Sequence, residues 1–420
     1  MIFFLLLLIF ISKVSLAFLG FFPNEVGPVI YQWGMHPYVN MAFNFIVGGF
    51  LFLTWFWKGL HVYTQSRFFR FLLFLVSLFL IFITLLQCFF VNPEESFIFQ
   101  MAAAIMAVFT IYLYGRVIPT SMKPETFLIA IKNLTLFFCF LSLIVLIVSP
   151  GTSFKGSRFI GIFKHIPHMV SCATIACFAI YYSLFHEKLS RTKLLLNYFY
   201  LLISFGLLIL TGTRSALAAV CIGFVMCLFI FKAKSAENLF LKTALAICTL
   251  IVMTFFGYDI ADFGFRVIRG EQAIAQRAAQ DGLKSRLEEV ERGFAIFSKD
   301  QWLGQGLLMK FSNGQEAEVS GYNANKDPHN LFVSAGVIGG WGFVFITLLG
   351  FFGLIFMSAN ALFSKNEAMK ILAVYIITHI PILFIYHMHL SLGGIADRIY
   401  WIVIGYMAVK EIDLKKETQA

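Results

Sequence analysis

Charge is what this chain has least of: only 13% of its 420 residues are Asp, Glu, Lys or Arg, while 60% are hydrophobic. A soluble domain carries roughly a quarter charged residues, so a water-soluble core could not hide this much apolar surface. Helix breakers are also sparse, with 10 prolines in all. The apolar runs last about 18 to 25 residues, enough to cross a hydrocarbon layer of roughly 30 Å as helix. The sequence has no GxxxxGKS loop to cradle a nucleotide, no GxGxxG after a strand, and no DxD-like carboxylate cluster to hold a divalent metal. The seven cysteines (Cys88, Cys139, Cys172, Cys177, Cys221, Cys227 and Cys248) all fall inside apolar runs, with no CxxC pair. Neither a disulfide framework nor a cysteine-bound metal is expected.

What is present reads as an all-α, polytopic integral membrane protein with about 12 transmembrane helices. The runs lie near 2–22, 39–57, 71–91, 97–115, 126–149, 169–186, 195–211, 214–231, 239–257, 330–357, 369–386 and 398–410. The first resembles a signal peptide but has no basic n-region and no clear cleavage site, so it is expected to remain as a span. Short loops on one side hold the Lys and Arg: Lys58, Arg67 and Arg70; Arg116 and Lys123; Lys188, Arg191 and Lys193; Lys232, Lys234 and Lys242; Lys365 and Lys370; Lys410, Lys415 and Lys416. By the positive-inside rule that side is cytoplasmic, and an even count puts both termini there. Topology therefore accounts for most of the formal charge of +10, which otherwise would suggest nucleic acid.

One connection is not short. Residues 258–329 are polar and of mixed charge, separating a block of nine spans (1–257) from three more and a tail (330–420), and the topology puts them outside. Loops of that length without their own structure are uncommon. Ser285-Arg286-Leu287-Glu288 fits a capping box, and Leu287, Val290, Phe294 and Phe297 follow at spacings of three and four. The pattern predicts an amphipathic surface helix over about 285–298.

Several basic residues lie on the side where topology does not ask for them. Lys155, Arg158 and Lys164 share an outer loop, and Arg214 follows Thr213 at the mouth of a span. Snorkelling to lipid phosphates is the simpler explanation for Lys155 and Lys164. Arg214 is different, because a cation at a helix N-terminus opposes the helix dipole unless an anion is near. Arg286 repeats the arrangement after Ser285. Two arginines at two helix N-termini on one membrane face describe a phosphate or pyrophosphate site. Asp327-Pro328-His329-Asn330 then opens the next span on the same side, and His329 can exchange a proton near neutral pH, which an arginine cannot. His165 and His168 have a spacing that suits a metal on a helix, but Pro167 between them argues against regular helix. His379, His387 and His389 flank a late span and more simply satisfy buried carbonyls. Asp397 and Arg398 at the start of the last span suggest a local ion pair. An outer-face site without nucleotide or metal needs a donor that is already activated, and a sugar on a polyprenyl diphosphate is the one a membrane offers.

Taken together, Gly212-Thr213-Arg214-Ser215-Ala216-Leu217, Ser285-Arg286 followed by Trp302-Leu303-Gly304-Gln305-Gly306, and Pro328-His329-Asn330-Leu331-Phe332 resemble the O-antigen ligase and polymerase superfamily, most closely the ligases. Arg158-Phe159-Ile160-Gly161-Ile162-Phe163 is similar to a further segment of the pattern. The resemblance implies a metal-independent, cofactor-free enzyme of the bacterial inner membrane that moves a glycan from undecaprenyl diphosphate to an acceptor, typically the core sugar of lipid A. It implies His329 as the base or orienting group for the acceptor hydroxyl, and Arg214 and Arg286 as the diphosphate contacts. Arg158 ranks behind them, followed by Lys164 and His165, where the segment departs from the usual pattern. Asp327 and Asp397 are candidates for supporting roles. An O-antigen polymerase and a protein O-oligosaccharyltransferase share the donor chemistry and stay open as alternatives. A secondary transporter, which also commonly has twelve spans, is disfavoured because the notable charges cluster at the outer surface rather than at the midplane.

Overall fold

The computed structural model describes residues 2–15, 37–58, 63–91, 97–155, 158–163, 165–231, 283–306, 330–384 and 394–411, with isolated positions at 93, 242–245 and 247. Along the chain they form α1 (Ile2–Ile11), α2 (Pro37–Lys58), strand β1 (Tyr63–Gln65), α3 (Arg67–Phe90), α4 (Phe97–Tyr112) continuing through the π-helical Leu113–Val117 into α5 (Ile118–Ser121), and α6 (Pro124–Val148). A hairpin of β2 (Phe154–Lys155) and β3 (Arg158–Phe159) follows, then α7 (Ile166–His186), α8 (Arg191–Leu210) and α9 (Arg214–Ile230). The remainder holds α10 (Leu283–Lys299), α11 (Leu331–Leu362), α12 (Glu367–His379) with a 3₁₀ turn over Ile380–Phe384, α13 (Ile395–Met407) and β4 (Val409–Glu411). Seven of the described helical stretches are long and apolar enough to cross a membrane. The chain is an all-α polytopic membrane protein, as its hydropathy pattern predicts. The run at 239–257 lies largely outside the described residues.

The core is built around α7, every residue of which from Met169 to Phe185 is buried. Its small side chains, including Ser171, Cys172, Ala173, Ala176, Cys177 and Ala179, let neighbouring backbones approach closely, which is how helices associate where lipid removes the hydrophobic drive. Helices α6, α8, α9, α12 and α13 all pack on it. The six described cysteines are buried thiols, five of them on α6, α7 and α9 within this packing and Cys88 on α3.

The loops rich in Lys and Arg gather at one end of the bundle. β1 pairs antiparallel with β4, so the loop after α2 meets the chain after α13. Gln65 donates to the Gly115 carbonyl at 2.7 Å and to that of Gly405 at 3.3 Å. Arg116 lies over the Trp55 ring at 5.3 Å, and Asn366 donates to Glu125 at 2.5 Å.

Three elements depart from the sequence reading. The first run does not continue as one helix to residue 22: α1 stops at Ile11, a turn carries Lys13, and Val14 pairs with Phe163. At ten residues α1 is about 15 Å long, too short to cross. The surface helix begins at Leu283, ahead of Ser285, so Ser285 is not its N-cap and Arg286 lies within its first turn. Its buried side is formed by Gly293, Ile296 and Phe297, while Leu287 and Phe294 are exposed, so the packed seam is rotated from the predicted stripe.

The third departure is the largest. The run after Asn330 is not a simple span. α11 has 32 residues, which as a straight helix would measure about 48 Å. It is broken at Gly339 (φ −145°, ψ 24°) and Gly340 (φ 65°, ψ −164°). Phe332 packs against Phe351 with ring centroids 5.6 Å apart, although a straight helix would hold those positions about 28 Å apart. The piece from Leu331 to Ile338 therefore folds back beside the span that begins at Trp341. A side chain at Gly340 would strike the carbonyl of Trp302, and its backbone conformation is one that essentially only glycine adopts. Gly340→Ala should lower stability by at least about 1–3 kcal/mol from the backbone alone, read as a drop in thermal unfolding temperature of the purified protein in detergent. An unchanged melting temperature would mean that the chain does not reverse there.

Candidate functional site

The described outer-face candidates Arg158, His165 and Arg214 sit at the end of the bundle opposite the basic loops. The β2–β3 hairpin is seated on α6 where Gly161, at φ 58°, packs against Ser142. The Ile162 N–H donates to the Ser142 hydroxyl at 3.3 Å. From this hairpin Arg158 reaches across to the turn between α8 and α9. Its Nε donates to the Thr211 carbonyl at 3.1 Å and its Nη2 to the Thr213 hydroxyl at 2.8 Å.

That turn is Thr211-Gly212-Thr213, with Gly212 at φ 66°. Thr211 is buried, and its hydroxyl accepts from the Thr213 N–H at 3.3 Å while donating to Leu208. Thr213 occupies the N-cap position of α9, as the sequence suggests, but its side chain makes no cap hydrogen bond. The hydroxyl that would ordinarily satisfy an amide of the first turn accepts from Arg158 instead. Arg214 is then the first residue of α9, and it is exposed. Arg158 thus shapes the turn from which Arg214 projects, a role the sequence did not reveal.

Asn330 and Arg214 both lie toward the end of the α9–α12 pair away from Lys370. Lys370 of α12 stands over the ring of Phe231, just past the far end of α9, at 5.6 Å. From there α9 rises about 25 Å to Arg214, and α12 with its 3₁₀ turn rises about 23 Å to Phe384. The Phe384 carbonyl accepts from Asn330 Nδ2 at 3.1 Å. Asn330 is also the N-cap of the folded-back half-helix, its Oδ1 accepting from Phe332 N at 3.0 Å and Val333 N at 3.2 Å. His329, the residue before it in sequence, and Asp327 lie outside the described residues, as does Lys164; of Arg286 only the backbone is described. The neighbours of His329 and Arg214 therefore share one end of the α9–α12 pair.

The surface helix is fixed to the same half-helix. Phe297 lies against Gly336 and meets Trp341 edge-on at 4.9 Å. The chain then turns through Trp302-Leu303-Gly304-Gln305-Gly306 and clips the Gly339-Gly340 corner. Gln305 N donates to the Val337 carbonyl at 2.6 Å, Gly306 N to that of Ile338 at 3.1 Å, and Trp341 N to that of Gln301 at 2.8 Å. The break in α11 frees these carbonyls from their helical partners, and the clip supplies new ones. Gly304-Gln305-Gly306 reads in the sequence as a turn signal only; nothing in its composition names the helix it would bind.

The remaining candidates are placed as follows. His165 is exposed at the N-cap position of α7 and makes no side-chain cap. Pro167 falls in the first turn of α7, where its missing N–H costs nothing, so His168 is helical after all. The two imidazole rings are 6.3 Å apart. Among the described residues no group of three or more His, Cys, Asp or Glu side chains could hold a metal ion. Asp397 is buried and accepts from Gly394 N at 2.8 Å, capping α13. Arg398 is buried as well, with its guanidinium over the Tyr114 ring at 5.6 Å. His379 is buried inside α12 with Nδ1 2.6 Å from the Tyr375 carbonyl, the structural use its surroundings suggested.

No curated protein matches the chain. A family model, Wzy_C, described as O-antigen ligase, matches residues 199–348. The matched segment opens within α8, takes in the turn bearing Arg214, the surface helix, the clip and the His329 segment, and closes just beyond the Gly339-Gly340 corner. Arg158 and His165 fall outside it. The segment that carries every first-rank candidate is thus the one that is similar to the O-antigen ligase family model.

Proposed function

We propose that this protein is a membrane glycosyl transferase that moves a glycan from undecaprenyl diphosphate to an acceptor hydroxyl, most simply O-antigen to the core sugar of lipid A, in lipopolysaccharide assembly. Its place is the bacterial inner membrane, with the site facing the periplasm and the C-terminus in the cytoplasm. The observation that carries the reading is the match over 199–348 falling on Arg214, Arg286 and His329. Supporting it, Arg214 opens α9 and Asn330 bonds the far end of the 3₁₀ turn after α12, both away from the basic loops.

In this reading Arg214 and Arg286 bind the diphosphate, and His329 takes the proton of the acceptor hydroxyl as it attacks the anomeric carbon. The bond from that carbon to the diphosphate oxygen breaks, and undecaprenyl diphosphate leaves. A single displacement without a carboxylate nucleophile inverts the configuration. The arginines act on charge that develops in the transition state, so each is worth about 3 kcal/mol by analogy with one oxyanion donor. Arg158 supports the site from behind, since its hydrogen bonds to Thr211 and Thr213 set the turn before Arg214. Lys164, His165, Asp327 and Asp397 remain candidates for supporting contacts.

Two outcomes are expected in membranes or nanodiscs supplied with a lipid-linked glycan and lipid A core. His329→Ala and Arg214→Ala should each reduce glycan transfer by at least about 100-fold while the protein still inserts; full transfer by either would remove that residue from the mechanism. Arg158→Lys keeps the charge but cannot bond Thr211 and Thr213 together. It should cost about 10-fold in transfer if Arg158 works by geometry, and nothing if only its charge matters. Offering a second lipid-linked glycan or a protein in place of lipid A core separates the ligase from the polymerase and the protein-directed transferase.

A further inference from the structure

The helix α3 carries none of the candidate chemistry, yet it sends one buried polar side chain into the corner on which the site is built. Gln87 is 1% exposed in the last turn of α3. Its Nε2 donates to the Leu303 carbonyl at 2.6 Å and to the Ile338 carbonyl at 2.7 Å. The first carbonyl belongs to the clip that follows the surface helix, and the second to the last residue of the half-helix that begins after Asn330. Both hydrogens of one amide group thus bridge two segments that sequence separates, and anchor both to a third.

The placement is demanding. A carboxamide buried among apolar helices is costly unless its donors are used, and a leucine would fill the space without that cost. What the amide adds is direction, because two hydrogen bonds from a single nitrogen fix the angle between their acceptors. The half-helix Leu331–Ile338 is about 12 Å long. A rotation of about 10° at its Ile338 end would therefore carry Asn330, and the sequence beside it, about 2 Å out of place. Misplacement of about 1 Å in a reacting group can cost about 100-fold in rate.

We propose that Gln87 is a positioning residue for glycan transfer: its amide sets the angle between the helix bearing Arg286 and the half-helix that follows His329. The inference rests on the function proposed above. Gln87 touches no substrate, and its effect passes through the Leu303 and Ile338 carbonyls. The α8–α9 turn with Arg158 and Arg214 has no part in the clip, so the donor contact from Arg214 persists when Gln87 changes.

The test compares wild-type protein with Gln87→Met, which keeps the volume and loses both donors, in nanodiscs with an undecaprenyl-diphosphate-linked glycan and lipid A core. The expected result is kcat lower by about 10- to 100-fold, donor KM raised through Arg286 by less than kcat falls, and an unchanged melting temperature within a few degrees. Wild-type kcat in a folded Gln87→Met protein would overturn the proposal, and so would a parallel loss of melting temperature, donor affinity and rate, which marks a merely structural residue. If Gln87→Met fails to insert, Gln87→Asn, an amide too short to reach both carbonyls, is judged by the same split. Arg214→Ala and His329→Ala run alongside: retention of transfer by those two strikes the proposed function itself, whereas their loss with an unaffected Gln87→Met strikes only the role of Gln87.

Discussion

The architecture turns on how a membrane helix can be broken without stranding its backbone. Reversal at Gly339-Gly340 takes the Val337 and Ile338 carbonyls away from their helical donors. In a bilayer each would be expensive, since no water is there to replace the lost bond. The Gln305 and Gly306 amides and the Gln87 side chain take over, and Gly304 permits the approach because a Cβ there would stand 2.7 Å from Gly339 N. One set of hydrogen bonds therefore allows the chain to fold back and ties the end of the surface helix to it. Broken helices satisfied by their surroundings are a recurring way to place a polar site inside a membrane protein.

A second constraint acts on the other flank. Arg158 is held at the α8–α9 turn by two hydrogen bonds, one to a backbone carbonyl and one to the Thr213 hydroxyl. A fork with fixed geometry suits this task better than a lysine would, because the guanidinium presents several donors in one plane. The positive charge beside the α9 N-terminus is unfavourable without an anion. Two arginines meet at this turn, Arg158 behind it and Arg214 in front.

The fold was largely legible in the sequence because bilayer thickness imposes a length on every apolar run, and the loops at 58–67, 116–123, 186–193 and 363–370 announced their common side by charge. Arg214 at a helix start was readable from Thr213 and the apolar run behind it. The corner was not, since Gly339 and Gly340 look like small residues within an apolar stretch, and their break depends on a partner more than thirty residues upstream. Gln87 was overlooked for the same reason: a lone polar residue in a span gives no clue to what it bonds. The surface helix was found with its start two residues late, because Ser285 and Glu288 imitate a cap that the chain does not use. Arg158 was ranked as a ligand contact, and its attachment to Thr211 and Thr213 could be known only once the hairpin was in place.

The central claim is that Arg214, Arg286 and His329 act on one diphosphate at the face of the bundle away from the basic loops. The most direct measurement is an experimental structure of the protein in a lipid nanodisc with undecaprenyl diphosphate bound. The account predicts density for the two phosphates between the guanidinium groups of Arg214 and Arg286, with the His329 ring beside them. Phosphate density elsewhere, with these three side chains on separate surfaces, would contradict it.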